Sequence, residues 1–374
     1  MHLDGIIEQG SGQFQGRQQM KKQGLRPRRG PPEKSSQSRP MRKGPGSRMQ
    51  PGQNNPSKGQ PTPQQPSCDK DYSQSAKNLI ALMDQYGVEK SLIMPPPQYP
   101  DQKGGYEHTA LLKAVAPFKN RLFLAAGGGT LNPIIIGTDR NEVTLEIAQA
   151  FEAKANALAD SGIKCFGEMT AMHLSMAEHH PYISTQPDHP LFLLLADLSA
   201  KHNIPIDLHM EAIPKPIPCP PALSNISMNP DVLPATIPAF EELLSYNRNA
   251  NIVWQHIGWD NTGGMTPTLL DQLLQKHPNL YLALRVEDKP YDLSGNLMPN
   301  RLVDIKGKLY PEWLTFIKKH ADRLMIGSDE FVGVPGKTFQ KPKSFKSSWG
   351  ILKQVPNSIA EKIGHSNAAK IYHL

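Results

Sequence analysis

The feature of this sequence that most constrains its fold is a set of four polar residues, each at the end of a short apolar run. The runs 163–166, 206–208, 252–255 and 324–327 lead to Glu168, His209, His256 and Asp329. Apolar runs of this length between helical stretches are typical of parallel strands, whose carboxyl ends meet at one rim. We therefore expect these imidazoles and carboxylates to converge, and such a set is competent to bind a divalent metal.

Helical and strand patterns alternate along most of the chain. Their spacing predicts helices over 73–86, 106–118, 143–161, 191–202, 235–246, 267–276, 311–320 and 358–372, and strands over 91–94, 122–126, 163–166, 204–208, 252–254, 280–284 and 324–326. Seven strand–helix units with apolar strands indicate a parallel sheet covered by helices, an α/β fold. Eight strands would close a (β/α)8 TIM barrel. Only residues 1–7 remain to supply a truncated first strand.

Residues 9–67 differ in composition from the rest of the chain. Residues 1–67 contain 12 basic residues, 3 acidic residues and 10 prolines, which leaves 29 basic and 31 acidic residues elsewhere. The formal charge of +7 therefore comes from this segment, which cannot bury enough apolar surface to fold. The predicted organisation is a remnant of the first strand at 1–8, a disordered basic insertion at 9–67 and a barrel at 68–374.

Composition also bears on partners and location. The sequence has neither an apolar run long enough to span a bilayer nor the apolar core of a secretory signal. We expect no membrane partner and a cytoplasmic location, unless an upstream segment directs export. The basic segment has Phe14 as its one aromatic residue, which offers no stacking platform for nucleic acid. The expected partner is a small-molecule substrate, with a carboxylate as one option, and a homo-oligomer stays open.

Six stretches carry a resemblance to a known family: 81–94, 162–168, 205–209, 251–258, 327–329 and 367–372. Their order and spacing resemble the amidohydrolase superfamily, and within it the amidohydrolase-2 group. That group includes aminocarboxymuconate-semialdehyde decarboxylase and related metal-dependent TIM-barrel hydrolases. The resemblance covers about four fifths of the chain, from Ala76 to the C-terminus.

The family opens with a strand that ends in His-x-His, and both histidines ligate the metal. The start Met1-His2-Leu3-Asp4 is similar to the second half of that motif. The resemblance therefore implies that His2 is a metal ligand and that Met1 is an internal methionine, a hypothesis that the codons upstream of Met1 test. The alternative is that a histidine after the starting methionine has no role.

The resemblance also implies roles for the four rim residues. His209 and Asp329 are expected to bind the metal, and Asp329 is expected to take the proton from the attacking water. His256 is expected to polarise the substrate or to act as a general acid and base. Glu168 either bridges two metals or orients a metal-bound histidine. Zinc is the expected metal, and manganese or iron suits the same donors.

Further residues are candidates for the pocket around the metal. Arg285, Trp259, Glu211 and His173 are predicted to contact substrate, and Arg285 suits a carboxylate. The pair His179-His180 is expected to be solvated. The run 127–130, Gly-Gly-Gly-Thr, lacks the Lys of a phosphate loop, so its glycines are expected to let the backbone turn tightly beneath the rim.

Three functions remain open at this point. The first is a metal-dependent hydrolase that cleaves a C–O or C–N bond of a small organic substrate. The second is a nonoxidative, metal-dependent decarboxylase on the same scaffold. The third is a degenerate, non-catalytic barrel whose basic segment binds a polyanion.

Overall fold

The computed structural model describes residues 72–100, 108–177, 180–286, 291–330 and 344–374, together with the backbone of His2–Asp4. The chain divides into two units, one formed by Met1–Glu8 and Asp69–Leu374, the other by Gln9–Cys68. The second unit lies outside the described residues. The disorder and the polyanion-binding role predicted for it therefore stay predictions.

Eight parallel strands in chain order and one short antiparallel strand, Ile183–Ser184, form one sheet in the described part of the chain. The parallel strands are β1 (His2–Asp4), β2 (Ser91–Met94), β3 (Leu122–Gly127), β4 (Cys165–His173), β5 (Ile206–Met210), β6 (Ile252–Ile257), β7 (Leu280–Leu284) and β8 (Leu324–Ile326). Each pairs in parallel with the next, from β1 with β2 to β7 with β8. This order is that of the predicted barrel, and His2–Asp4 supplies the first strand. Within the described ranges, no pairing joins β8 to β1.

Helices connect the strands. They are α1 (Ser73–Tyr86), α2 (His108–Val115), α3 (Asn132–Gly137), α4 (Leu145–Asp160), α5 (Pro190–His202), α6 (Ile237–Tyr246), α7 (Pro267–Lys276), α8 (Pro311–Lys319), α9 (Ser344–Leu352), α10 (Asn357–Glu361) and α11 (Asn367–Tyr372). A short π-helix at Lys362–Ser366 lies within the predicted last helix and separates α10 from α11. The sequence patterns missed α3 and α9. None of the described helices is both long and apolar enough for a membrane span.

Helix α1 shows how the local sequence sets an element and its position. Ala76, Leu79 and Met83 recur at helical spacing and are fully buried. Gly87 ends the helix with φ 66°, a left-handed conformation that favours glycine, and its N–H contacts the last helical carbonyls. Strand β2 follows four residues later, so α1 is held against the sheet by its apolar face.

Side chains from both ends of the strand order meet in one apolar cluster. Its members include Leu92 of β2, Ala125 of β3, Val253 of β6, Ala283 of β7 and Met325 of β8. Because β2 and β8 are far apart along the sheet, they can share a cluster only if the sheet curls on itself. This cluster is therefore the barrel interior, and the larger cluster on the outer face packs against the helices.

Helix α11 closes the end of the barrel at which the strands begin. Ala368, Ile371 and Tyr372 of this helix belong to the interior cluster. The Tyr372 hydroxyl donates a hydrogen bond of 2.8 Å to Oδ1 of Asp207, near the start of β5, and both side chains are fully buried. A buried carboxylate needs such a donor, so this contact fixes the helix to the barrel floor.

We expect Tyr372→Phe to lower the free energy of unfolding by about 2 kcal/mol, because it removes a donor from a buried carboxylate. The midpoint of urea denaturation measures the loss. Tyr246→Phe is the matched control: Tyr246 is 52% exposed and donates to Asp197 at 2.9 Å. The control should cost under about 0.5 kcal/mol. Equal losses in the two variants would contradict the role of the floor contact.

Candidate metal centre

Three side chains from three neighbouring strands converge on one point. Oε1 of Glu168 lies 3.0 Å from Nδ1 of His209 and 2.9 Å from Nε2 of His256. One ligand atom from each residue lies within 4.8 Å of the other two. Two imidazole nitrogens and one carboxylate oxygen, collected in the interior, form a donor set that fits a divalent metal ion.

Bulges in the strands place two of these three residues. Between Phe166 and Met169, β4 advances three residues while β5 advances two, so the strand has one extra residue around Glu168. Strand β6 has the same irregularity between Trp254 and Ile257, against two steps in β7. A bulge changes the direction of the side chain it contains, so Glu168 and His256 leave the regular alternation of their strands. Glu168 was predicted to lie at the end of the fourth strand. It lies instead within β4, which continues to His173.

The backbone is also unusual at two of the predicted site residues. His256 has φ 62° and Asp329 has φ 49°, both in the left-handed region that residues with a side chain rarely adopt. Such conformations cost about 1–3 kcal/mol each and persist where surrounding contacts hold them. One such contact is the 2.9 Å hydrogen bond from the Trp259 N–H to the His256 carbonyl.

The electrostatics of the cluster favour the protonation states that bind metal. Burial by itself would raise the pKa of Glu168, but the hydrogen bonds from His209 and His256 hold it well below its usual value. Burial lowers the pKa of His209, and its hydrogen bond with Glu168 only partly offsets this. An ionised carboxylate beside a neutral imidazole is the combination that a metal ion requires.

Asp329 lies beside the cluster. Its Oδ2 is 3.7 Å from Nδ1 of His256 and forms an ion pair with the Arg285 guanidinium. The guanidinium carbon of Arg285 lies 4.1 Å from the centroid of the Trp259 ring, a cation–π contact. Among the described side chains, the group that could hold a metal consists of Glu168, His209 and His256. The structure thus brings Asp329 to the centre without including it in that group.

A cavity of about 290 Å³ opens above the cluster. It is lined by eight of the nine predicted site residues: Glu168, His173, His209, Glu211, His256, Trp259, Arg285 and Asp329. The ninth, His2, lies on β1 in register with Leu92 of β2, and its side chain is outside the described part of the chain. Eight of the fifteen residues that line the cavity are thus ones that the sequence analysis named as site residues.

His180 is a cavity residue that the sequence analysis missed. It was expected to be solvated, but it lines the cavity, and its ring centroid lies 4.6 Å from that of His173. The His173 ring stacks in turn on His209 at 4.7 Å. Burial, together with the neighbouring His209 and His180, holds the pKa of His173 well below its usual value. His179 lies outside the described residues.

Two buried acidic residues lie at or next to this cavity: Glu211 lines it, and Asp260 follows the lining residue Trp259 in the chain. Glu211 is buried and accepts a 2.8 Å hydrogen bond from the Asn261 amide. Burial raises the pKa of Glu211 to about 7. Asp260 is fully buried and accepts from the backbone N–H groups of Thr262, Gly263 and Met265 at 2.8–3.0 Å. This one carboxylate fixes the loop that carries Trp259 and Asn261.

Gly127, the last residue of β3, and Gly128 after it permit a close backbone approach. Gly127 has φ 131°, and a Cβ on Gly128 would lie 2.7 Å from the Pro95 carbonyl oxygen and 2.8 Å from that of Glu168. The Glu168 N–H donates to the same Pro95 oxygen at 3.2 Å. The chain at Glu168 is thus held against two loops.

Compared by sequence, the chain matches no family model and no curated protein. It is similar in structure to a probable 2-pyrone-4,6-dicarboxylic acid hydrolase from Acinetobacter baumannii, with 14% identity, a TM-score of 0.42, and coverage of 80% of this chain and 89% of that one. The values for the 5-carboxyvanillate decarboxylase LigW from Sphingomonas paucimobilis are 11%, 0.43, 79% and 82%.

A third similar structure is a dihydroxybenzoic acid decarboxylase from Polaromonas sp. JS666 with bound manganese and the inhibitor 2-nitroresorcinol. It shares 14% identity at a TM-score of 0.42, over 79% of this chain and 85% of that one. The first of these three proteins is named as a hydrolase and the other two as decarboxylases, the two enzyme activities that the sequence analysis left open.

We expect Gly128→Ala to destabilise the protein by about 2 kcal/mol, because its Cβ would overlap two backbone oxygens that cannot rotate away. Urea denaturation measures the change. Gly350→Ala is the control: it lies in α9 with open space around it. This substitution should be neutral or should stabilise the protein by up to about 1 kcal/mol, because alanine has a higher helix propensity than glycine. A stable Gly128→Ala protein would contradict the close approach at Glu168.

Proposed function

We propose that this protein is a metal-dependent hydrolase of the amidohydrolase-2 type, which cleaves a C–O or C–N bond of a small organic substrate. The observation that carries the proposal is the convergence of Glu168, His209 and His256 within 4.8 Å, beneath a cavity of about 290 Å³. Buried charges in proteins are paired or coordinate metals, and a cluster of buried titratable groups that lines a cavity is characteristic of a functional site.

Glu168, His209 and His256 would hold the cation, and we propose zinc, with manganese and iron as alternatives for the same donors. His2 and Asp329 are the further ligands that the family resemblance implies. When bound, the divalent cation supplies Lewis-acid polarisation of the substrate and activation of water.

The proton chemistry is assigned to Asp329 and His256. Oδ2 of Asp329 lies 3.7 Å from Nδ1 of His256, while Nε2 of the same ring lies 2.9 Å from Glu168. One imidazole thus lies between the two carboxylates. Asp329 accepts the proton of the attacking water and passes it to the leaving group, and His256 polarises the substrate or acts as a general acid and base beside it. Trp259 and Glu211 form the walls that confine the substrate.

Nonoxidative decarboxylation is the second candidate, and Arg285 favours it. Its guanidinium lines the cavity and lies against the face of Trp259. A guanidinium has five N–H donors, so it can bind a substrate carboxylate while it remains paired with Asp329. A substrate carboxylate bound to Arg285 would lie in the same cavity as Glu168, His209 and His256, which is where decarboxylation requires it.

We expect the purified protein to bind one divalent cation per chain, and His209→Ala or Glu168→Gln to weaken that binding. The metal affinity should fall by at least about tenfold to hundredfold, which is the loss caused by removing a residue that only supports a metal ligand. Elemental analysis by mass spectrometry and metal titration measure it without any activity assay. His365→Ala, at a largely exposed histidine, is the control and should bind normally. Two equivalents per chain would indicate that Glu168 bridges two metals.

We expect Asp329→Asn to reduce turnover by about 10²–10⁴-fold, the usual contribution of a positioned general base. The assay follows acid release from aryl esters, lactones and anilides, and carbon dioxide release from aryl carboxylates, with and without a chelator. Asp322→Asn is the matched control, at an aspartate whose side chain is 74% exposed. Carbon dioxide as the one product would select decarboxylation, and equal turnover in both variants would remove Asp329 from the mechanism.

A further inference from the structure

We propose that the substrate is a carboxylate with an apolar arm, and that the arm occupies a second cavity next to the metal centre. This inference rests on the proposed function and names its substrate class. The second cavity has a volume of about 170 Å³. It adjoins the metal-centre cavity, because Met176, Trp259 and Asn261 line both.

The two cavities differ in chemistry. The metal-centre cavity contains the ionisable groups of Glu168, Arg285 and Asp329. The second cavity is walled by Pro220, Leu223, Met298 and Pro299, with Trp259 shared. A connected pair of this kind fits a molecule that is polar at one end and apolar at the other.

The acidic residues of the second cavity are already engaged within their own turns. Asp260 accepts from three backbone N–H groups of its loop and, at 2.7 Å, from the Asn300 amide. Asp292 accepts from the N–H groups of Ser294 and Asn296 at 2.9 and 2.8 Å. Both oxygens of Asp260 and Oδ1 of Asp292 thus have donors, and ten of the fourteen residues that line the cavity are apolar or aromatic, so it presents mainly carbon to an entering group.

The size of the second cavity sets the size of the arm. An apolar cavity of about 150 Å³ in a protein interior takes up benzene. A space of about 170 Å³ therefore suits a phenyl ring or an alkyl chain of four to six carbons. The Trp259 ring, with Arg285 against it, leads from the carboxylate end to this space.

One hairpin beside the cavity exposes apolar surface that the arm would cover. Leu293 is 58% exposed and Tyr291 is 52% exposed, and both line the second cavity. The backbones of Tyr291 and Leu297 form an antiparallel β-bridge across the hairpin. Adjacent exposed apolar residues at the mouth of a cavity are typical of ligand-binding grooves.

The test is isothermal titration of the purified full chain with benzoate and with 4-methyl-, 4-ethyl- and 4-butylbenzoate. We expect the affinity to rise about fourfold for each added carbon, the usual gain for burying one methylene. The 4-alkylphenols are titrated in parallel. They have the same arms without the carboxylate, so they report on the second cavity alone.

Two variants and a matched control locate the arm. Ala222→Phe, at a half-buried wall position, fills the second cavity and should remove the chain-length gain while benzoate binds as before. Leu293→Ala acts at an exposed position. It should reduce the gain in affinity of 4-butylbenzoate over benzoate about threefold. Ala360→Phe fills a separate cavity that shares no lining residue, and should change nothing.

Each outcome decides the proposal. Benzoates that bind without a chain-length gain, or a gain that Ala222→Phe and Leu293→Ala leave intact, overturn it. Phenols that show the gain while benzoates do not bind overturn the carboxylate class. A variant-sensitive gain in a protein that holds no metal supports the second cavity and counts against the proposed function, so the two failures are distinguishable.

Discussion

The site depends on the partners of one buried carboxylate. Glu168 lies in the barrel interior, where an unpaired charge would cost several kcal/mol. Its partners are imidazoles from the next two strands, His209 and His256, each at hydrogen-bond distance from the same oxygen. Loss of either ring would leave the carboxylate underpaired, so β4, β5 and β6 must keep their relative register. The geometry that prepares a metal centre therefore also constrains the alignment of the strands.

Much of the fold could be predicted because its elements depend on local patterns. Strand β7 and helix α7 have the predicted boundaries, since a continuous apolar run and an amphipathic repeat are both visible in the sequence. The convergence of Glu168, His209 and His256 could also be anticipated, because parallel strands present their polar residues at a common rim. Their positions on three neighbouring strands follow from chain order alone.

The features that the sequence could not predict depend on contacts between residues that are far apart in the chain. The bulges at Glu168 and His256 come from the pairing of β4 and β6 with their neighbours, and no residue pattern announces an extra residue in a strand. Helix α3 is six residues long, too short for a periodic signal, yet Asn132 on it accepts from the Thr170 N–H in the middle of β4. His180 stands in a polar stretch, so its place beside His173 depends on the path of a loop.

The hydrogen bonds of Asp260 have a consequence for how selectivity arises. Because one carboxylate fixes the loop behind Trp259, that wall has lost its conformational freedom during folding. An incoming molecule meets a finished surface and has little ordering left to impose on the protein. Discrimination between molecules would then depend on how well each one fits this fixed wall, because the loop is already held by its own hydrogen bonds.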